Sequence, residues 1–272
     1  MKTYFAAWVA AGALLLPPCH AIGAVATTTY YGNLYDSGVW APLGGGTLKL
    51  EDKGSYVNAT FTKGYGGFNS SIVFYLDTGM GGFTDTSSLA ASSDYLEASV
   101  SGAMGSARSV AYFADNFHAA YAIGLTAASI TSKKGELYHL DGNGALSDLG
   151  SVSLTPINDE NSPTYTFQFS WDSIGEGNTS SKGFRMESTW ASAAFHDTQS
   201  FEQTTVPPGI YHPVAFTTYD VFGVEPVPET SNTALAIFGG LVVTAGIASR
   251  ARRLLRPQPL PPGTQYGNLP VT

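Results

Sequence analysis

Eleven short runs of alternating or β-branched and aromatic residues, separated by clusters of Gly, Ser, Asn and Asp, succeed one another between Thr47 and Phe222. They cover 47–50, 55–62, 71–76, 95–101, 109–113, 119–125, 136–140, 151–154, 164–170, 184–190 and 214–222. No apolar repeat at helical spacing lasts three turns, so strands are expected throughout and βαβ crossovers are excluded. The run 164–170 alternates most cleanly, with Tyr165, Phe167 and Phe169 on one face and threonine, glutamine and serine on the other. Such a strand has one wet face, as antiparallel sheets allow. The expected fold class is therefore all-β, an antiparallel two-sheet β-sandwich, with jelly-roll-like and immunoglobulin-like connectivities both open.

Two local features fit that frame. Asp141-Gly-Asn-Gly144 separates two strand-like runs and reads as a tight turn, where glycine and asparagine accept positive φ. Trp171-Asp-Ser-Ile-Gly175 reads as one helical turn closed by glycine. Cys19 is the only cysteine and lies within the expected N-terminal signal peptide, so the body has no disulfide and depends on its core. Roughly 200 residues suffice for that as a single all-β domain.

Both ends carry targeting patterns. Lys2 precedes an apolar stretch at 5–16, which has signal-peptide length and is followed by Pro17 and Pro18. Cleavage is expected after Ala21 or Ala26, the second favoured, giving a signal peptide at 1–26 and a β-sandwich domain at 27–225. At the other end the 16-residue apolar run 233–248 lies between Val-Pro-Glu-Thr at 227–230 and Arg250, Arg252, Arg253 and Arg256. At 1.5 Å per residue it reaches about 24 Å, slightly less than a hydrocarbon core of about 30 Å. The arginines would hold its end on the cytoplasmic face and extend it by snorkelling. A transmembrane helix is expected over 233–248, and a disordered Pro-rich tail over 257–272.

Charge divides sharply along the chain. All 21 acidic side chains lie between Asp36 and Glu229, where only eight basic ones accompany them, a net near −13. A body of that sign repels nucleic acid and anionic lipid.

Catalytic signatures are absent from the sequence. No serine sits in a Gly-x-Ser-x-Gly elbow, and the glycine-rich stretches 44–46 and 64–67 lead into strands rather than phosphate-binding helices. His118, His139, His196 and His212 lack zinc-ligand spacing. Glu97, Glu136, Asp172 and Glu187 are the carboxylates from which a glycosidase pair would be drawn. Two loops offer oxygen ligands to a hard cation: Asp141, Asn143 and Asp148 in one, and Asp77, Asp85 and Asp94 around 79–82 in the other. Neither has the helix-loop-helix calcium pattern, and no cofactor is expected. Tyr30, Tyr31, Trp40, Trp171, Trp190 and Tyr211 would form a sugar platform if they faced solvent, and core if they did not.

The motif at 227–230, the apolar run and the arginine cluster, in that order, resemble a PEP-CTERM sorting signal over about residues 226–256. Pro228 and Glu229 match the first two motif positions, while Thr230 departs from the third, and 16 residues follow Arg256. The resemblance implies an exported Gram-negative protein read by a membrane-embedded exosortase, its C-terminal helix held in the inner membrane before release to the surface. Val227-Pro-Glu-Thr-Ser231 also resembles the Leu-Pro-x-Thr-Gly signal of sortase-anchored wall proteins, with two substitutions. Phrases such as Tyr165-Thr-Phe-Gln-Phe-Ser170 are similar to β-rich bodies carried on PEP-CTERM tails.

The expected role is a non-enzymatic surface or matrix protein associated with extracellular polysaccharide. A carbohydrate-binding module or adhesin is the alternative, then a glycoside hydrolase. N-terminal sequencing of exported protein should begin at Ile22 or Thr27; recovery of intact Met1, or of lipid on Cys19, would refute export by this route.

Overall fold

The computed structural model describes residues 26–33, 42–177, 182–206 and 213–225. The strands are β1 (Thr27–Tyr31), β2 (Thr47–Asp52), β3 (Tyr56–Thr62), β4 (Ser71–Asp77), β5 (Ala103–Met104), β6 (Ala107–Arg108), β7 (Ala111–Tyr112) and β8 (Tyr121–Leu125). They continue as β9 (Gly135–Leu140), β10 (Leu146–Ser151), β11 (Thr164–Ser170), β12 (Gly183–Ser192), β13 (Phe195–His196), β14 (Thr204–Thr205), β15 (Val214–Phe216) and β16 (Asp220–Gly223). One α-helix, α1 (Tyr95–Ser101), and one 3₁₀ turn at Asp172–Ile174 complete the described elements. The body is thus mostly β, with several antiparallel sheets and few helices, consistent with a β-sandwich.

A four-stranded sheet runs β1-β2-β3-β11, and a larger one runs β10-β9-β8-β4-β12-β13 with β16 also on β12. Alternation decides what meets between them. Leu48, Leu50, Phe61, Tyr165, Phe167 and Phe169 point from the small sheet, and Ile72, Phe74, Leu76, Ile123, Phe184 and Met186 from the large one, into one buried cluster. Phe74 and Phe167 stack across the gap at 5.6 Å between ring centroids. The interface leaves a void of only about 10 Å³, lined entirely by apolar side chains.

The large sheet is covered on its second face as well. Val73, Tyr75, Ala122 and Tyr138 pack there against Val100 of α1, Ala111, Phe117 and Phe216. Strand β4 is consequently buried at all seven positions, which explains why Ser71-Ile-Val-Phe-Tyr-Leu-Asp77 reads as a continuous apolar run rather than an alternation.

Several sequence expectations need correction. Residues 95–101 form α1 instead of a strand: Asp94 caps it, its carboxylate accepting the Leu96 and Glu97 N–H groups at 3.0 and 3.1 Å. Gly102 closes it in the left-handed region at φ +66, where a Cβ would also meet Ser109 O at 2.5 Å. The signal was present in the Asp-x-x-Glu spacing of 94 and 97 with glycine at 102. The run 109–113 shrinks to β7, which pairs parallel with β15, so the body is not wholly antiparallel. The run 214–222 splits into β15 and β16, and 151–154 contributes only Ser151 to β10, with Val152 and Leu154 buried beyond the strand. Strands β1, β5, β6, β13 and β14 lie outside the eleven runs. The turn at 141–144 and the helical turn after Trp171 are as expected, Gly144 and Gly175 taking positive φ.

Among the described residues no helix is long and apolar enough to cross a membrane; the run 233–248 lies outside them. Truncating the inter-sheet stack by Phe167→Ala should cost about 3–5 kcal/mol in urea unfolding. The neighbouring Gln168→Ala, on the wet face, should stay within about 0.5 kcal/mol of the parent.

Candidate functional site

Three polar assemblies and one polar sheet face hold the chemistry of the body. The first lies where α1 begins. Asp94 and Glu97 come from the helix start, Glu136 from β9 and Asp148 from β10, where it stands opposite Tyr138. Lys133 Nζ sits among them, 3.7 Å from Asp94 and 3.6 Å from Asp148. Against partial burial, which alone would lower it, the charges of Asp94, Glu136, Asp148 and Glu97 raise the Lys133 ammonium above its ordinary range. Burial, then Asp148, pushes the Glu136 carboxyl up. An open groove of about 480 Å³ runs beside this cluster, lined among others by Lys133, Glu136, Ser151, Ser153 and Thr155.

The structure therefore brings together Glu97 and Glu136, two of the four carboxylates singled out for hydrolysis, and one acid from each loop considered for calcium. Other loop acids are used locally. Asp141 Oδ1 accepts the N–H groups of Asn143 and Ala145, and Asp85 Oδ1 that of Ser87. Asp77 takes Arg185 at 3.2 Å and the His118 N–H. Among the described residues no three His, Cys, Asp or Glu side chains group closely enough to hold a metal ion. Asp172 stands alone and exposed at the 3₁₀ turn.

The second assembly is sealed behind the large sheet. Glu187 on β12 is fully buried beside its cross-strand partner Tyr75, and its Oε1 accepts the Ala114 N–H at 2.9 Å. Burial pushes its carboxyl up to about 10, opposed by the Ala114 bond and reinforced by the Glu202 and Asp77 charges. The group is thus neutral at pH 7 and closed to substrate. Nearby, His196 Nε2 lies 3.0 Å from Ser99 O and 3.2 Å from the Tyr75 hydroxyl, while Nδ1 lies 3.1 Å from Ser109 Oγ. Burial lowers its pKa to about 4, with the Ser99 bond acting the other way. A neutral ring donating to Ser99 O and accepting from Ser109 satisfies both partners. This serine–histidine pair has no route to solvent: Ser109 is 0 % and His196 2 % exposed.

The third assembly was not legible in the sequence. Glu202 is buried beside Ser188 and Ser200, and Asp220 on β16 stands opposite Met186 of β12. Burial raises both carboxyls, and Glu202 additionally feels the Asp220 charge. Tyr30, whose hydroxyl donates to Val221 O at 2.7 Å, is raised by burial and then by Asp220.

The outward face of the four-stranded sheet is of another kind. Strand register lines up Tyr31, Thr47, Thr62 and Thr164 in one row, Thr29, Lys49, Thr60 and Thr166 in the next, and Thr27, Glu51, Asn58 and Gln168 in a third. Lys49 and Glu51 pair at 3.1 Å, so the face is nearly uncharged within an acidic body. Tyr31 is 72 % exposed at one margin and Tyr56 is 36 % exposed at the far end of β3. Of the other aromatics singled out from sequence, Tyr30 and Trp171 are core and Trp190 packs against it. Trp40 and Tyr211 fall outside the described residues, as do Pro228, Glu229, Thr230, Arg250, Arg252, Arg253 and Arg256.

No protein-family model, no curated protein and no solved structure matches the chain.

The sealed Glu187 gives a pH dependence with a definite sign. Its folded pKa exceeds the unfolded one, so its stabilising contribution is complete below about pH 4.5 and is lost as pH rises toward 10. His196 acts oppositely, destabilising the fold as pH falls from about 6.5 toward 4. Glu187→Gln, which mimics the protonated acid, should flatten the fall in thermal midpoint between about pH 6.5 and 9, removing at most about 1.4 kcal/mol per pH unit. An unchanged slope would show that Glu187 is already ionised in the folded protein.

Proposed function

We propose that this is an exported, non-enzymatic surface or matrix protein whose β-sandwich body associates with extracellular polysaccharide. A PEP-CTERM-like tail delivers it. The observation that carries the body's part of this reading is the polar outer face of β1, β2, β3 and β11. Threonine hydroxyls, the Asn58 and Gln168 amides and the Tyr31 ring offer hydrogen bonds and a stacking plane in three regular rows about 7 Å apart, on strands about 4.8 Å apart. Polar but nearly neutral, that surface suits uncharged sugar hydroxyls, whereas the acidic remainder repels anionic polymers.

On this reading the polymer partner is a neutral glycan and the processing partner is an exosortase-type membrane enzyme. Pro228, Glu229 and Thr230 are its recognition motif, and Arg250, Arg252, Arg253 and Arg256 are the cytoplasmic stop after a 233–248 transmembrane helix. The fold around β1 bears on signal cleavage. Ala26 packs against the core, and its carbonyl accepts the Asp52 N–H at 2.9 Å. Cleavage after Ala21 keeps that residue and its bond in the mature chain, and cleavage after Ala26 removes them.

Affinity electrophoresis tests the glycan reading. Neutral polysaccharide cast in the gel should retard the protein, and an acidic one should not. Tyr31→Ala with Thr166→Ala and Gln168→Ala should weaken retardation at least about tenfold, a loss of about 1.4 kcal/mol. Equal retardation of parent and variant would remove this face from the interaction.

A further inference from the structure

Glu202 and Asp220 occupy neighbouring places on the core-facing side of β12. Asp220 stands opposite Met186, and Glu202 Oε2 accepts from the N–H and Oγ of Ser188 at 2.9 and 2.8 Å, two residues further along the same face. Ser200 Oγ donates to that oxygen too. All the donors thus converge on Oε2. The other oxygen, Oε1, is buried with no partner, although Glu202 is only 3 % exposed. Asp220 Oδ2 is likewise buried without a partner. Asn33 Nδ2 donates to Glu202 O at 2.6 Å, and its own Oδ1 is again a buried, unpartnered acceptor.

Three acceptor oxygens from three segments are therefore withdrawn from water with no donor to receive them. Each such group ordinarily costs about 1–3 kcal/mol, more when charged. No lysine or arginine among the described residues pairs with either carboxylate. Arg185, the basic side chain of β12, faces the opposite side of the sheet toward Asp77. A hard cation, which takes oxygen ligands, would receive these oxygens.

We propose that Glu202 Oε1 and Asp220 Oδ2 bind a hard divalent cation, of the calcium class, pinning the β16 edge and the segment before β14 to strand β12. Calcium suits the donor set: it takes six to eight oxygens in flexible geometry, including amide and backbone carbonyls and water, so two carboxylates suffice as its charged ligands. Asp220 is only half-buried, which gives the ion an entry path from the sheet edge. The Ser188 and Ser200 bonds fix one Glu202 oxygen so that the other is presented without rotamer freedom, as bonds behind a ligand do in built metal sites. The site lies on the core-facing side of β12, apart from the outward side-chain rows of the four-stranded sheet.

The test uses the purified full chain in detergent, stripped with chelator and titrated with calcium chloride while the thermal midpoint is followed. The midpoint should rise and saturate, with half-effect at about 0.1–1 mM, the range of extracellular calcium modules. Glu202→Gln and Asp220→Asn should each abolish the rise, whereas Asp94→Asn with Asp148→Asn, in the cluster around Lys133, should keep it. Terbium luminescence excited through tyrosine, lost in Asp220→Asn, reads the same site without melting the protein. Should Glu202→Gln fail to fold, the half-buried Asp220→Asn carries the comparison alone. A parent midpoint indifferent to calcium, a rise that survives Asp220→Asn, or one that disappears with Asp94 and Asp148 would each overturn the proposal.

Discussion

Burial of β4 and β12 on both faces is the constraint from which the rest of the body follows. A sheet in a simple sandwich has one dry side, and its strands alternate. Here β4 and β12, like β8, have no wet side, because the four-stranded sheet covers one face and α1, β7, β15 and their connections cover the other. Every polar side chain on those strands must then find a partner inside the protein. Glu187, Ser188 and Thr189, three consecutive residues of β12, are all 0 % exposed, which is tolerable only because neighbouring segments bring hydrogen-bonding groups to them. The Ala114 N–H serves Glu187, the Glu202 carboxylate serves Ser188, and the Asp197 carbonyl serves Thr189.

That necessity explains why the polar chemistry divides into sealed and open parts. Glu187, Tyr75, His196 and Ser109 resemble a catalytic set in residue type, yet their geometry holds the second layer onto the sheet. Catalysis needs reacting groups within reach of a substrate, and these are closed off. The open chemistry sits elsewhere, in the groove beside Lys133 and Glu136 and on the hydroxyl-rich outer sheet face. Glu202 and Asp220 stand between these cases, one sealed and the other reaching the surface at a strand edge.

How much of this the sequence disclosed depends on the range of the forces involved. The strand Thr164–Ser170 was legible to the residue because a half-wet strand writes its environment into a two-residue alternation. Strand β4 was legible as a strand, but its double burial was recognisable only by the absence of alternation. Helix α1 reads as a strand in the sequence because Tyr95 and Val100 favour strands and seven residues are too few to establish a helical period. Its Asp94–Glu97 cap and Gly102 stop were the better guide. Short pairs such as β7 with β15 depend on residues 103 positions apart, as Val214 and Ala111 are, and nothing local announces them. Glu202 and Asp220 are only 18 positions apart, but they come together through β12, to which both segments dock, and nothing local announces that either.

The sequence's division of charge acquires a structural meaning on the outer face of β1, β2, β3 and β11. A net near −13 spread evenly would leave no surface fit for a polymer of hydroxyl groups, since ionised carboxylates hold water tightly. The four strands avoid this by placing threonine at seven of twelve positions in their three aligned rows, and by pairing Lys49 with Glu51 where charge does occur. Threonine is favoured there twice over, because its branched side chain suits the pleat while its hydroxyl faces outward. Strand propensity alone would have been met equally by valine or isoleucine, and solubility alone by lysine or glutamate. A residue choice that satisfies the sheet while keeping the face both wettable and uncharged is what a neutral glycan partner requires, and it is the physical link between this fold and the proposed role.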